Sequence, residues 1–206
     1  MKEKSVWGKI WFFLWKDNSI WSWIVSLLLA FVIVKFIFFP LLSLALGTQL
    51  PLVVVESSSM HHSGSLFKSI TGIGITSKDG LQAWYNQMGE WYTKVNLSLQ
   101  DMKNWRFQSG IDKGDIILVR GKKASSLKVG DVIIFDAGQN HPIIHRIIKI
   151  DSNGSLTFST KGDNNNGQLS FEDNIPANGI IGKAVLRLPK LGWAKLIFVE
   201  LFNGFR

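Results

Sequence analysis

The sequence predicts a mainly β protein: a small antiparallel β domain behind one N-terminal transmembrane helix, with an amphipathic helix inserted in it. Three observations carry this prediction. An apolar run fills 20–46, short β-branched runs bounded by Gly and Asp fill much of the remainder, and between 64 and 110 apolar residues recur at three- and four-residue steps. The chain has 206 residues, 46% hydrophobic and 18% charged. That length fits one ordinary domain, and so low a charged fraction excludes a disordered chain. The absence of Cys excludes a disulfide-stapled scaffold, thiolate metal sites and a cysteine nucleophile, and leaves the redox compartment open.

In residues 1–19, Trp7, Trp11 and Trp15 recur every four positions, which gives a helix one aromatic face. The segment reads as cytoplasmic and interfacial, a short helix at headgroup level. The run 20–46 holds Lys35 as its one charge. As a helix rising about 1.5 Å per residue it reaches about 40 Å, enough to cross a hydrocarbon core of about 30 Å with some tilt. A cleaved signal peptide is the alternative, since Ser43-Leu44-Ala45 resembles a small-residue cleavage site, but the run is far longer than a signal peptide's apolar core. Pro40 lacks a backbone donor and is a candidate kink. Lys2, Lys4, Lys9 and Lys16 precede the run, whereas no Lys or Arg follows Leu46 until Lys68. Positive-inside bias then places the N-terminus in the cytoplasm and residues 47–206 outside. The net charge of +8 comes without a basic stripe interleaved with aromatics. It reads as attraction to anionic lipid headgroups, with the bilayer as a partner and no nucleic acid.

Strands are expected over 52–55, 115–119, 131–135, 143–150, 155–160 and 180–188. Lys113-Gly114-Asp115 and Val129-Gly130-Asp131 give turn-then-strand signatures, and Asn153-Gly154 gives a hairpin signal. Within the insertion 64–110, Leu81, Trp84, Tyr85, Met88, Trp91, Tyr92, Val95, Leu99 and Met102 predict one amphipathic helix of about seven turns. It is suited to packing on its own domain, on lipid or on a partner. The apolar tail 191–205 is too short for a second ordinary span and reads as a closing strand or an interfacial segment.

For chemistry, Ser is the default nucleophile in a chain without Cys, and it needs a neighbouring base. Ser57-Ser58-Ser59 follows the first strand; a serine cluster is more often simply a loop. The His residues fall in two groups, His61 and His62 beside the serines and His141 and His145 at the fourth strand. His145 lies in an apolar run, where a satisfied core imidazole is the commoner reading. Asp163, in Thr160-Lys161-Gly162-Asp163-Asn164-Asn165, is placed to orient a charged imidazole. His61 and His62 are rival bases, although adjacency to Ser59 points them away from it. His141 and His145 stand at metal-ligand spacing, but Pro142 intervenes and no carboxylate follows at zincin spacing, so no metal is expected.

Together these segments resemble the type I signal peptidases, in the archaeal and endoplasmic-reticulum branch that pairs Ser with His. Leu52–Met60 resembles that family's serine-methionine box, and Lys113–Val119 with Gly130–Phe135 the second. Ile144-His145-Arg146-Ile147-Ile148 resembles the third, and Thr160–Asn165 the fourth. The likeness covers roughly 80 residues well, and excludes residues 1–19 and the insertion. It implies an antiparallel β domain of signal-peptidase type, with Ser59 as nucleophile, His145 as general base and Asp163 as supporting acid. It further implies an oxyanion hole from the Ser59 N–H and the Ser57 hydroxyl, and no cofactor. The branch often carries a second Asp six residues after the first; Leu169 stands there, leaving Glu172 or Asp173 to replace it, with Asp173 taken as the second acid. His61-His62 also stands where the family usually has Pro or a small polar residue. The implied activity is cleavage of signal peptides from translocated preproteins, with a translocon or accessory subunits as candidate partners. The rival readings are a non-catalytic membrane-anchored scaffold and a membrane serine protease with other substrates.

Overall fold

The computed structural model describes residues 5–62 and 78–203, so the part of the insertion at 64–77 lies outside the described residues. The chain divides into two compact units, Met1–Ala45 and Leu46–Arg206. The first is helical. Helix α1, Val6–Trp15, starts at Ser5, whose hydroxyl accepts the Gly8 N–H at 3.3 Å. Trp7, Trp11 and Trp15 are all exposed. Helix α2, Ile20–Leu46, has a mean hydropathy of 2.7 in its most apolar window and is long and apolar enough to cross a membrane. Rather than a sharp break, the proline produces a π turn at Val34–Phe38, where the Phe39 N–H reaches back to the Val34 carbonyl. Pro40 has no N–H for the i−4 carbonyl and its ring crowds that oxygen, so the helix widens just before it.

The second unit is built on a seven-stranded antiparallel sheet. Its strands are β1 Leu52–Val54, β2 Ile116–Arg120, β3 Val132–Phe135, β4 Ile143–Asp151, β5 Thr157–Lys161, β6 Ile175–Pro176 and β7 Ile180–Leu188, in the spatial order β1-β2-β7-β3-β4-β5-β6. All the expected strands form, and the two-residue β6 is additional, too short to leave a hydropathy pattern. Strand β3 explains where the core sits. All four of its residues are buried, and alternate side chains enter different clusters: Val132 and Ile134 join Val55, Met60, Ile117 and Val119, while Ile133 and Phe135 join Ile147, Phe158 and Ile175.

The single seven-turn helix expected in the insertion is corrected to two helices, α3 Lys78–Lys94 and α4 Leu99–Met102. The chain leaves the helix at Asn96, which takes φ 59°, and restarts at Ser98. There Asp101 accepts the Ser98 N–H at 2.8 Å while Ser98 accepts the Asp101 N–H at 3.4 Å, a capping box. The apolar face still does what its spacing predicts: Leu81, Trp84, Tyr92 and Met102 are buried together with Ile148. That isoleucine is the extra residue where the β4–β5 register shifts. In the tail, expected as a closing strand or an interfacial segment, the strand is corrected to a helix, α5 Trp193–Asn203. Pro189 lacks a ladder donor and Lys190 takes φ 60°, so β7 ends and the chain turns before helix formation.

Candidate active site

The serine cluster sits on a turn clamped at both ends. Before it, the Val55 N–H donates to the Asp115 carbonyl at 2.9 Å, and the Val55 carbonyl accepts the Gly114 N–H at 2.8 Å. After it, Met60 is buried and its carbonyl accepts the Ile111 N–H at 2.8 Å. Between these anchors the His61 N–H closes onto the Ser58 carbonyl at 3.0 Å. Ser57 and Ser58 are exposed and Ser59 half-buried, so the hydroxyls face outward from a fixed backbone. Among the described residues no acceptor takes the Ser59 N–H.

His145 reaches this turn from near the start of β4, where its backbone pairs with Ile133. Its Nε2 lies 2.9 Å from Ser59 Oγ, and its Nδ1 lies 2.5 Å from Glu172 Oε1. Imidazole and carboxylate are both buried. Glu172 is itself held: Oε2 accepts the Leu169 N–H at 2.6 Å, and Oε1 accepts the Thr160 hydroxyl at 3.4 Å. A carboxylate only accepts, so the hydrogen-bond network assigns the imidazole proton to Nδ1. Nε2 is then the lone pair that receives the Ser59 hydroxyl. Ser57 Oγ stands 3.1 Å from Ser59 Oγ.

Two sequence expectations about the acids are corrected here. Asp163 does not contact His145. Its carboxylate accepts from Arg146 Nε at 2.9 and 3.1 Å and from a terminal guanidinium nitrogen at 2.6 Å. It also accepts from His62 Nε2 at 2.9 Å and from the Tyr92 hydroxyl at 3.3 Å. Adjacent residues on a strand point to opposite faces, so His145 and Arg146 collect different carboxylates. Asp173, taken as the second acid, instead accepts the Ser159 hydroxyl at 2.5 Å. Its neighbour Glu172 is the residue on the imidazole, because the 3₁₀ turn Ser170–Glu172 aims it inward. Both rival histidines are engaged elsewhere, His61 with Asp112 at 2.6 Å and His62 between Asp163 and the Gln108 carbonyl at 2.7 Å. His141 is exposed. Among the described residues no group of three or more His, Asp and Glu gathers in a way that holds a metal.

Burial alone would raise the Asp163 carboxyl, but the Arg146 guanidinium and the His62 hydrogen bond outweigh it and hold the group well below the usual carboxylate range. Burial pushes the Lys161 ammonium down to about 8, against the opposing pull of Asp163 and Glu172. That ammonium donates to the Gly162 carbonyl at 3.0 Å and faces the rings of Trp91 and Tyr92 at 5.1 and 4.7 Å.

Gly162 brings the fourth box against the site. A Cβ there would stand 2.8 Å from His145 Nε2 and 2.9 Å from the Ser59 carbonyl oxygen. Two residues on, the Asn164 N–H donates to that carbonyl at 2.7 Å and the Asn164 amide to the Ser58 carbonyl at 3.1 Å. Gly162→Ala therefore forces serine and imidazole apart. A displacement of about 1 Å is expected to cost about a hundredfold in the rate at which the Ser59 hydroxyl reacts, read as covalent labelling by a fluorophosphonate with the far-ultraviolet circular dichroism unchanged.

A hydroxyl, an imidazole and a buried carboxylate in one hydrogen-bonded line are the groups that serine hydrolases use to activate a serine. Comparison with known proteins narrows that class. No protein-family model matches the chain. It is 30% identical over 93 residues to the signal peptidase complex catalytic subunit SEC11C of Homo sapiens, a match covering 41% of this chain and 48% of the human one. It is 31% identical over 107 residues to the catalytic subunit SEC11 of Eremothecium gossypii, covering 45% of this chain and 60% of that protein. The Colletotrichum graminicola SEC11 is 26% identical over 101 residues, covering 45% and 59%. The chain spans about half the length of the curated relatives it matches. These relatives are catalytic subunits of signal peptidase, the family whose boxes the sequence resembles.

Proposed function

We propose that this chain is a membrane-bound serine endopeptidase that removes N-terminal signal peptides from translocated preproteins. The observation that carries the reading is the line Ser59 Oγ, His145 Nε2 and Nδ1, Glu172 Oε1. Ser59 attacks the scissile carbonyl while His145 accepts its proton at Nε2. The imidazolium, held by Glu172, then protonates the leaving amine, and water activated by the same imidazole releases the acyl group. The Ser59 N–H and the Ser57 hydroxyl receive the developing oxyanion; one such donor is worth about 3–4 kcal/mol to the transition state.

The substrate adds as an extended strand along β1, the end strand of the sheet, which pairs on one side with β2 and runs directly into the serine turn. A second stretch bordering the sheet, 136–144, is less suited. It closes the β3–β4 hairpin, and β3 is already flanked by β4 and β7. In this reading residues 1–19 are cytoplasmic and interfacial, 20–46 form the single anchor, and 47–206 form the catalytic domain outside. An apolar signal segment then brings its cleavage site to the outer face of the membrane. Accessory subunits fit the naming of the relatives as members of a complex.

The test is cleavage of a labelled preprotein by the full chain in detergent. Ser59→Ala and His145→Ala each abolish processing with folding intact. Bulky residues at the first and third positions before the bond block cleavage of an otherwise identical substrate. A scaffold predicts no effect of Ser59→Ala, and a protease with other targets predicts indifference to bulk.

A further inference from the structure

We propose that the inserted helix α3 is a positioning element of the catalytic centre, holding through Trp84 and Tyr92 the loop 162–164 against the Ser59 turn. The inference rests on the peptidase reading and gives the insertion a part in it.

The path of contacts is short. The Trp84 indole N–H donates to the Asp163 carbonyl at 3.2 Å, and its ring stacks on His62 at 4.2 Å with an interplanar angle of 9°. One side chain thus grips the loop and the residue three positions after Ser59. The Tyr92 hydroxyl donates to Asp163 Oδ1 at 3.3 Å, and its ring lies 4.7 Å from Lys161 Nζ. Strand β5 ends at Lys161, so sheet pairing does not position the loop 162–164. Yet that loop bears directly on the reacting groups. The Asn164 N–H holds the Ser59 carbonyl at 2.7 Å, the Asp163 N–H meets Met60 Sδ at 3.4 Å, and Gly162 leaves no room for a methyl beside His145 Nε2. A helix that merely covered the sheet would bury aliphatic side chains. Here α3 directs two polar-tipped aromatics, Trp84 at 1% and Tyr92 at 0% exposure, at the same aspartate. Neither touches Ser59 or His145, so both act through the loop.

The experiment uses the full chain in detergent with Trp84→Phe, which removes the indole donor and keeps a ring, and Tyr92→Phe, which removes one oxygen. Cleavage of a labelled preprotein is measured as kcat and KM, beside the rate at which a fluorophosphonate labels Ser59. Each variant is expected to lower kcat and the labelling rate together by about tenfold, as small misplacements of reacting groups do, with KM within twofold of wild type. Values of kcat and labelling within twofold of wild type overturn the inference, as does a rise confined to KM. Should Trp84→Phe not fold, Tyr92→Phe decides alone by the same criteria. A wild type that neither cleaves nor labels overturns the peptidase reading and this inference with it, whereas variants within twofold of an active wild type overturn the inference alone.

Discussion

Glu172→Gln is expected to lower turnover on a preprotein by about 10⁴-fold with KM little changed, the loss that follows when a triad imidazole is left in the wrong tautomer. The reason lies in what the side chain presents to Nδ1. As a carboxylate, Glu172 accepts from His145 at 2.5 Å and leaves Nε2 free to receive the Ser59 proton across 2.9 Å. An amide can rotate its NH₂ toward the ring, since its oxygen finds the Leu169 N–H that Oε2 holds at 2.6 Å. Nδ1 then becomes the acceptor, Nε2 carries the hydrogen, and Ser59 loses its base. Glu172→Asp keeps the charge on a side chain one methylene shorter, so its loss is smaller. Asp173→Asn is the control: that carboxylate serves Ser159, and kcat should stay within about twofold because surface changes away from a site are near neutral. Single-turnover cleavage of a labelled preprotein by the three variants checks all of this. Equal losses in Glu172→Gln and Asp173→Asn would remove Glu172 from the line.

Those two adjacent acids also mark where reading the sequence stops. Strands are legible because β-branched runs between Gly and Asp punctuation leave few alternatives, and the motif resemblance singles out Ser59 and His145 although they lie 86 positions apart. Which carboxylate faces the imidazole depended on a three-residue 3₁₀ turn, and no periodicity separates Glu172 from Asp173. Asp163 misled for a similar reason. A conspicuous acid in a turn looked like the orienting group, while the arginine next to His145, on the opposite face of β4, had the stronger claim on it. The break in the inserted helix was written in Asn96 and Ser98-Leu99-Gln100-Asp101, local signals that a search for three- and four-residue spacing passes over. The hydrophobic face is legible because burial depends on spacing. The destination of its polar tips depends on a loop far along the chain.

That buried arginine–aspartate pair carries the largest expected effect on stability. Arg146 and Asp163 are both fully buried, joined at 2.6 Å, and the remaining guanidinium donors go to the carbonyls of Arg106 and Gly130 at 2.9 Å and of Phe107 at 3.3 Å. Arg146→Met leaves a buried carboxylate without its main cation and is expected to cost about 3–5 kcal/mol, read from denaturant midpoints. The double change Arg146→Met with Asp163→Leu should recover only part of that loss, since it removes both desolvation costs but leaves the His62 ring and the Tyr92 hydroxyl without their acceptor. The pH dependence follows from the depressed Asp163 carboxyl. Its unfolded value is about 3.9, so the proton is bound first in the unfolded chain as acid is added. The stabilisation is whole above about pH 4 and is lost progressively as the pH falls toward the folded value. Wild type should therefore melt at falling temperatures below about pH 4, and Asp163→Asn should show a flatter slope there despite a lower plateau at neutral pH. Parallel slopes in the two proteins would mean that this carboxylate does not set the acid limb of stability.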